Sequence, residues 1–141
     1  MDCIFCKILK GEIPSYTIYE DEIVKVFLDI SPVSDGHCLV IPKKHYENII
    51  DIDLETLNHM DKVIKELYPV LKEKLNCLGI TRTQNNEYGQ EVKHYHMHLI
   101  PRYSKDNINF NISRKLTDVK EVYKKIKKLI ICIKNNKNLH N

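Results

Sequence analysis

Short segments rich in apolar residues are separated by polar turns in the first third of the chain. They cover residues 17–20, 23–29 and 38–41, and all three are rich in β-branched or aromatic side chains. Polar turn residues separate them at 20–22 and at 34–36. The pattern predicts three consecutive antiparallel strands.

The apolar spacing becomes helical over about residues 54–75. The recurring positions are Leu57, Ile64, Leu67, Leu71 and Leu75. Asp53, just before this segment, is of a residue type that favours the N-cap. Pro69 lies inside it, and proline removes a backbone donor and clashes with the preceding turn. The sequence therefore predicts either one bent helix or two shorter helices that meet at Pro69.

Histidine alternates with apolar residues after a further predicted strand at 80–83 and a polar loop at 84–89. In a strand His94, His96 and His98 would share one face, because successive side chains point to opposite faces. Such a row suits chemistry at a phosphate or the binding of a metal ion, since histidine serves in both. The spacing alone leaves both interpretations open.

The end of the chain predicts an amphipathic helix over about residues 117–134, with a lysine-rich solvated face, and a polar tail at 135–141. The length of 141 residues fits one domain, placed at 1–134. A net charge of +3 is too small to argue for nucleic-acid binding, and we expect no nucleic-acid partner. We find no secretory signal and no apolar run near the ~20 residues that span a bilayer. We therefore expect a cytoplasmic protein without membrane contact.

The five cysteines include one C-x-x-C pair, Cys3 and Cys6. Two thiolates at this spacing provide half of a tetrahedral zinc site, and His45 with one histidine of the row would complete it. A redox pair and unliganded thiols are alternatives. The redox alternative is weakened because a thioredoxin-like motif normally opens a helix after a strand, and no strand is predicted before Cys3.

The segment 94–100, H-Y-H-M-H-L-I, resembles the signature of the histidine triad (HIT) family, which is H-x-H-x-H followed by two apolar residues. Other landmarks of the family follow the same order at 4–8, 11–14, 27–32, 36–45 and 89–90, so that the resemblance covers about residues 1–105. It implies an α+β fold with an antiparallel sheet of about five strands, two main helices and a homodimer.

The resemblance also implies roles for the histidines. His96 would be the nucleophile, forming a covalent nucleotidyl-histidine from an AMP- or GMP-linked substrate, and His98 would donate to the phosphate or the leaving group. In the zinc-containing branch that this chain resembles, one structural zinc ion per chain is held by Cys3, Cys6, His45 and His94. No organic cofactor is implied.

Nucleotide-binding positions carry over in the same way. Asp29 would accept hydrogen bonds from the ribose hydroxyls, and the base would lie between Ile4, Phe5, Phe27 and Ile30. Asn85 and the Gly89 backbone would contact phosphate, with Asn86 or Gln84 as alternatives to Asn85 because this loop is about two residues shorter than usual. Glu91 stands where many relatives have Ser or Thr. An ionised glutamate offers no proton and repels phosphate, so we predict a lower turnover than with serine.

These residues leave several function classes. The first is a purine nucleoside phosphoramidase-like hydrolase that acts on phosphoramidates or adenylates. The continuation Pro101-Arg102-Tyr103 also resembles branches that act on dinucleoside polyphosphates. The second class is a nucleotide-binding regulatory or scaffold protein with weak activity. The third is a metallohydrolase with three histidine ligands, against which the Cys3/Cys6 pair argues.

Overall fold

A five-stranded antiparallel sheet forms the centre of the fold, and the computed structural model describes residues 2–110 and 117–137 of the chain. The elements in chain order are α1 (Ile4–Leu9), β1 (Thr17–Glu20), β2 (Val24–Leu28), β3 (Cys38–Pro42), α2 (Leu54–Leu75), β4 (Gly79–Thr83), β5 (Met97–Arg102) and α3 (Val119–Lys137). The predicted fold class is confirmed. The first four predicted strands agree with the observed ones to within one residue at either end.

The strand order β1-β2-β3-β5-β4 places β3 and β5 side by side in the sheet. Their register pairs Cys38 with Leu99 and Leu39 with His98. His98 therefore lies on the same face as Leu39, and Leu99 lies on the opposite face, because side chains alternate along a strand. This register therefore determines which β3 side chains share a face of the sheet with His98.

The two faces of the sheet pack against different helices. Val26, Val40 and Leu99 on one face share a core cluster with Met60 and Val63 of α2. On the other face, a second cluster combines strand and α1 residues: Phe27, Leu39, Ile41, Phe5 and Ile8. The face with the α1 cluster is also the face of His98.

Residues 54–75 form one continuous helix that contains Pro69. The Asp53 side chain caps its start by accepting a hydrogen bond from the Thr56 backbone N–H at 2.7 Å. Asn76 ends it in the left-handed conformation, with φ of 51°, which asparagine tolerates better than most residues. Of the two predicted arrangements, the single helix is the one observed.

The histidine row differs from the prediction in one respect, because β5 begins only at Met97. The last pair between β3 and β5 is Val40 with Met97, so continuing the ladder would bring Pro42 opposite Tyr95. Proline has no N–H to donate. Instead, the Tyr95 N–H donates to the Tyr46 carbonyl at 2.7 Å. His94 and His96 therefore precede the strand, and only His98 belongs to it.

Two compact units divide the chain, Met1–Ile108 and Asn109–Asn141. The described part of the second unit contains α3, which begins after Asp118 because this side chain accepts hydrogen bonds from the backbone N–H groups of Lys120 and Glu121. The helix continues to Lys137, three residues beyond the predicted end, and the last part of the predicted polar tail, 138–141, lies outside the described residues. No described helix is long and apolar enough to cross a membrane.

Candidate active site and metal centre

Two cysteines at the start of α1 lie close to two histidines, one just after β3 and one just before β5. Cys3 caps α1 and Cys6 lies in its first turn, whereas His45 follows β3 and His94 precedes β5. Their ligand atoms all lie within 4.8 Å of one another. The S···Nδ1 distances are 3.5 Å from Cys3 to His94, 3.3 Å from Cys6 to His45 and 3.6 Å from Cys6 to His94.

These distances fit a tetrahedral zinc ion. Bonds of about 2.3 Å to sulfur and about 2.0 Å to nitrogen place the two donor atoms roughly 3.5 Å apart in a tetrahedron. His94 Nε2–H donates to the Pro42 carbonyl at 2.9 Å, which leaves the Nδ1 lone pair directed at the cysteines. Burial lowers the pKa of His94 to about 4, so the ring is neutral as a ligand must be. The four residues therefore have the chemistry and the spacing to hold zinc.

His96 has one free ring nitrogen. Its Nδ1–H donates to the His94 carbonyl at 2.7 Å, so the Nε2 atom carries the lone pair. The ring is buried, and the edge-to-face contact with Phe5 has a centroid distance of 5.1 Å. Burial lowers the pKa of His96, while the carboxylates of Asp29 and Glu91 oppose this effect. The result is a neutral imidazole with an available nucleophilic nitrogen.

His98 is oriented by a histidine that the sequence analysis did not single out, His37. The Val33 backbone N–H donates to His37 Nδ1 at 3.1 Å, so the His37 proton lies on Nε2. That Nε2–H donates to His98 Nδ1 at 2.9 Å, and the His98 proton consequently lies on Nε2. Burial, followed by the neighbouring His96 and His37, lowers the pKa of His98 to about 4. His98 is thus a neutral ring that can donate a hydrogen bond.

The register of the sheet explains why His37 is part of the site. Because Leu39 pairs with His98, a residue two positions before Leu39 projects from the same face. That pairing between β3 and β5 was not available from the spacing of apolar residues. The G-H-C segment at 36–38, within one of the family landmarks, was the signal that pointed to it.

A cavity of about 550 Å³ opens beside His96 and His98. Every residue predicted to bind nucleotide is part of its lining: Ile4, Phe5, Phe27, Asp29, Ile30, Asn85, Gly89 and Glu91. Ile30 and Ile4 are 84% and 47% exposed, which is unusual for isoleucine and provides an apolar surface at the rim. Phe5 and Phe27 are buried and pack edge to face at 5.7 Å, so they belong to the core as well as to the cavity.

The structure distinguishes Asn85 from its two alternatives. Asn85 lines the cavity, whereas Gln84 and Asn86 are not among its lining residues. The amides of Gln84 and Asn86 hydrogen-bond to each other at 2.7 and 2.9 Å. Asn86 also accepts a hydrogen bond from the Ile49 backbone N–H, so its side chain supports the loop.

The residues that suggested a polyphosphate substrate have structural partners. Arg102 forms an ion pair with Asp106 at 2.7 Å, and the Tyr103 hydroxyl donates to the Asp35 carbonyl. None of the residues 101–103 lines the cavity.

A metal site formed by the three histidines of the row does not fit the structure, because His94 Nδ1 is directed at the cysteines and His98 Nδ1 at His37.

Comparisons with known proteins agree with this geometry. The HIT domain family profile matches residues 10–105. An uncharacterised HIT-like protein of Methanocaldococcus jannaschii is 47% identical over 128 residues, covering 89% of this chain and 98% of the relative. The adenosine 5'-monophosphoramidase HNT1 of Saccharomyces cerevisiae is 41% identical over 100 residues, covering 71% and 62%. A crystal structure of a Zn-bound histidine triad family protein from Mycobacterium smegmatis has a TM-score of 0.73 at 36% identity, covering 86% and 87%.

Proposed function

Because this chain belongs to the HIT family, we propose that it is a nucleotide hydrolase that cleaves AMP- or GMP-linked substrates, such as nucleoside phosphoramidates and adenylates, at the α-phosphorus. The observation that carries the proposal is the pair of complementary tautomers on adjacent rings. His96 offers a lone pair at Nε2 and His98 offers an N–H at Nε2, and both rings line the same cavity. A nucleophile beside a hydrogen-bond donor is what nucleotidyl transfer requires.

The reaction takes two steps. His96 Nε2 attacks the α-phosphorus, the new N–P bond forms, and the leaving group departs with the bonding electron pair and takes up a proton from solvent. His98 Nε2–H donates a hydrogen bond to the phosphate or the departing atom, which stabilises the charge that develops there. Water then attacks the phosphorus and releases a proton to solvent. The His96 N–P bond breaks, its electron pair returns to Nε2, and the nucleoside monophosphate is released.

The cavity supports binding of the nucleotide part of such a substrate. The apolar rim of Ile4 and Ile30 suits the faces of a purine, and Asp29 suits the ribose hydroxyls. Asp29 Oδ1 accepts the Ser31 N–H at 2.8 Å, and this contact holds the carboxylate at the cavity. Asn85 and Gly89 would contact the phosphate. Adenine and guanine are not distinguished by any of these contacts.

We propose a structural role for zinc bound by Cys3, Cys6, His45 and His94. Zinc would cross-link α1 to the segment after β3 and to the segment before β5. It would not contact the phosphorus of the substrate. The support is the S···Nδ1 spacing of 3.3–3.6 Å and the similarity to a Zn-bound relative. His94 thereby stays in place, and its carbonyl fixes the tautomer of His96.

Trapping the covalent adduct tests the proposed function. The native protein is mixed with an adenosine 5'-phosphoramidate, quenched within one turnover, and examined by intact mass for addition of AMP. We expect the adduct in the native protein and in the control His59→Ala, a histidine of α2 that lies outside the cavity lining, and its absence in His96→Ala. An adduct that persists in His96→Ala would refute the role of His96. A nucleotide-binding scaffold would bind AMP without forming the adduct in any variant.

The family resemblance also implies a homodimer, which we retain as a proposal. Light scattering of the purified chain would measure a mass of about twice 16.7 kDa if it is correct. A monomeric mass at the concentrations used for kinetics would refute it.

A further inference from the structure

The formal charges around the cavity are unusual for a site that handles phosphate. Among the described lining residues there are two carboxylates, Asp29 and Glu91, and there is no lysine or arginine. The lining residues His37 and His98 carry no compensating charge at neutral pH, because burial lowers the pKa of both rings. The cavity therefore presents negative rather than positive charge to a substrate.

The two carboxylates differ in their surroundings. Asp29 accepts the Ser31 N–H and lies 3.6 Å from His37 Nε2. Glu91 is exposed, and its carboxylate has no hydrogen-bond or ion-pair partner in the part of the chain that the structure describes. The nearby Lys93 ammonium is used elsewhere, since it donates to the Glu87 carbonyl at 3.0 Å. Of the two carboxylates, Glu91 is thus the one without a partner among the described residues.

The backbone around Glu91 is anchored, which keeps its side chain at the cavity. Gln90 is buried, donates to the Glu47 carbonyl at 2.6 Å and accepts the Glu87 N–H at 3.1 Å. On the other side, Val92 packs against the α1 cluster. The Glu91 position is therefore set by two neighbours that are fixed in the fold.

Glu91 lines the cavity together with His96, and it follows Gly89, a proposed phosphate contact, by two residues. If Gly89 contacts the phosphate and His96 attacks the phosphorus, as proposed above, Glu91 would lie near the phosphorus and its leaving group. An unpaired carboxylate there attracts a cation and repels an anion.

We propose that Glu91 selects leaving groups that carry an ammonium charge near the scissile bond, and that it disfavours anionic leaving groups such as a further phosphate chain. This inference rests on the proposed function and names its substrate class: nucleotides joined to amines that bear a second, positively charged amino group. Because Glu91 is exposed, its contribution is that of a surface ion pair, which corresponds to about a two- to fivefold preference.

Three matched substrates test the inference. AMP is joined through a P–N bond to 1,4-diaminobutane, to pentylamine or to 5-aminopentanoate, so that the same four-methylene chain ends in an ammonium, a methyl or a carboxylate group. Values of kcat/KM are measured for native protein, Glu91→Gln and Glu87→Gln. Glu87 is an exposed carboxylate four residues away that does not line the cavity, and its substitution changes the net charge equally.

We expect native protein to prefer the ammonium substrate over the methyl substrate, and the carboxylate substrate to be the poorest. Glu91→Gln should reduce the ammonium-to-methyl ratio by about two- to fivefold, and Glu87→Gln should leave it unchanged. Intrinsic differences among leaving groups cancel, because the ratio is compared between variants. An equal ratio in native protein and Glu91→Gln would overturn the inference while leaving the proposed function intact. If native protein cleaved none of the three substrates, the proposed function would fail with it.

Discussion

Replacing His37 tests the proton arrangement on which the proposed chemistry depends. His37 Nε2–H donates to His98 Nδ1 at 2.9 Å and thereby keeps the His98 proton on Nε2, towards the cavity. In His37→Leu this donor is absent, and His98 is free to carry its proton on Nδ1. Its Nε2 would then present a lone pair, which repels phosphoryl oxygen. His37→Gln keeps an amide N–H donor near the position of Nε2, although it loses the acceptor for Val33.

The expected loss follows from the hydrogen bond. A neutral hydrogen bond contributes about 0.5–1.5 kcal/mol, and an unpaired buried acceptor costs about 1–3 kcal/mol. If the free energy lost with this hydrogen bond raises the activation free energy by the same amount, kcat should fall by about tenfold to one hundredfold in His37→Leu. His37→Gln should recover part of that loss, because His98 Nδ1 again has a donor.

Steady-state kinetics with an adenosine phosphoramidate, together with melting temperatures, separates this effect from general destabilisation. Nitrogen-15 chemical shifts of His98 report its tautomer directly, and we expect the Nε2–H form in the native protein and a population of the Nδ1–H form in His37→Leu. Equal kcat for native protein and His37→Leu, or an unchanged His98 tautomer in the variant, would refute the reasoning.

Three further predictions follow from the site. Glu91→Ser should raise kcat/KM about tenfold on a substrate with an uncharged leaving group, since a serine hydroxyl can donate to the phosphate; no gain would show that Glu91 does not limit turnover. Purified protein should contain about one zinc per chain, and chelation should lower the melting temperature before activity declines; immediate loss of activity at an unchanged melting temperature would indicate a catalytic metal instead, and reduced thiols without zinc would refute the four-ligand site. Burial lowers the pKa of His98 to about 4 from an ordinary value of 6.5, so the neutral ring favours folding above pH 6.5, and this contribution is lost as pH falls from 6.5 towards 4. The free energy of unfolding should therefore depend less on pH in this range in His98→Gln, and an unchanged slope would contradict the assignment.

Much of the sheet could be predicted because the content of β-branched or aromatic residues and the positions of turn residues are local properties. Segments 17–20 and 38–41 needed only their own sequence, and they agree with β1 and β3 to within one residue. The start of β5 could not be predicted in this way. It depends on Pro42, which has no N–H for the ladder and which lies more than fifty residues before Tyr95.

The candidate site shows the same division. The triad spacing pointed to His96 and His98, and the structure places both at one cavity with the other predicted nucleotide-binding residues. His37 was not singled out because its role depends on strand pairing between Leu39 and His98. The tautomers were likewise not predictable, since they follow from backbone contacts of Val33 and Pro42 that only the folded chain forms.

Main-chain atoms determine the proton position on each histidine of the row. The Pro42 carbonyl orients His94, the His94 carbonyl orients His96, and the Val33 N–H orients His98 through His37. Point substitutions nearby leave these peptide groups in place, so the site should tolerate considerable change in the surrounding side chains. Insertion or deletion of a single residue between Val33 and His37, or between His94 and His96, would displace a peptide group from its ring. During divergence, the lengths of these two short segments should therefore be more constrained than their composition.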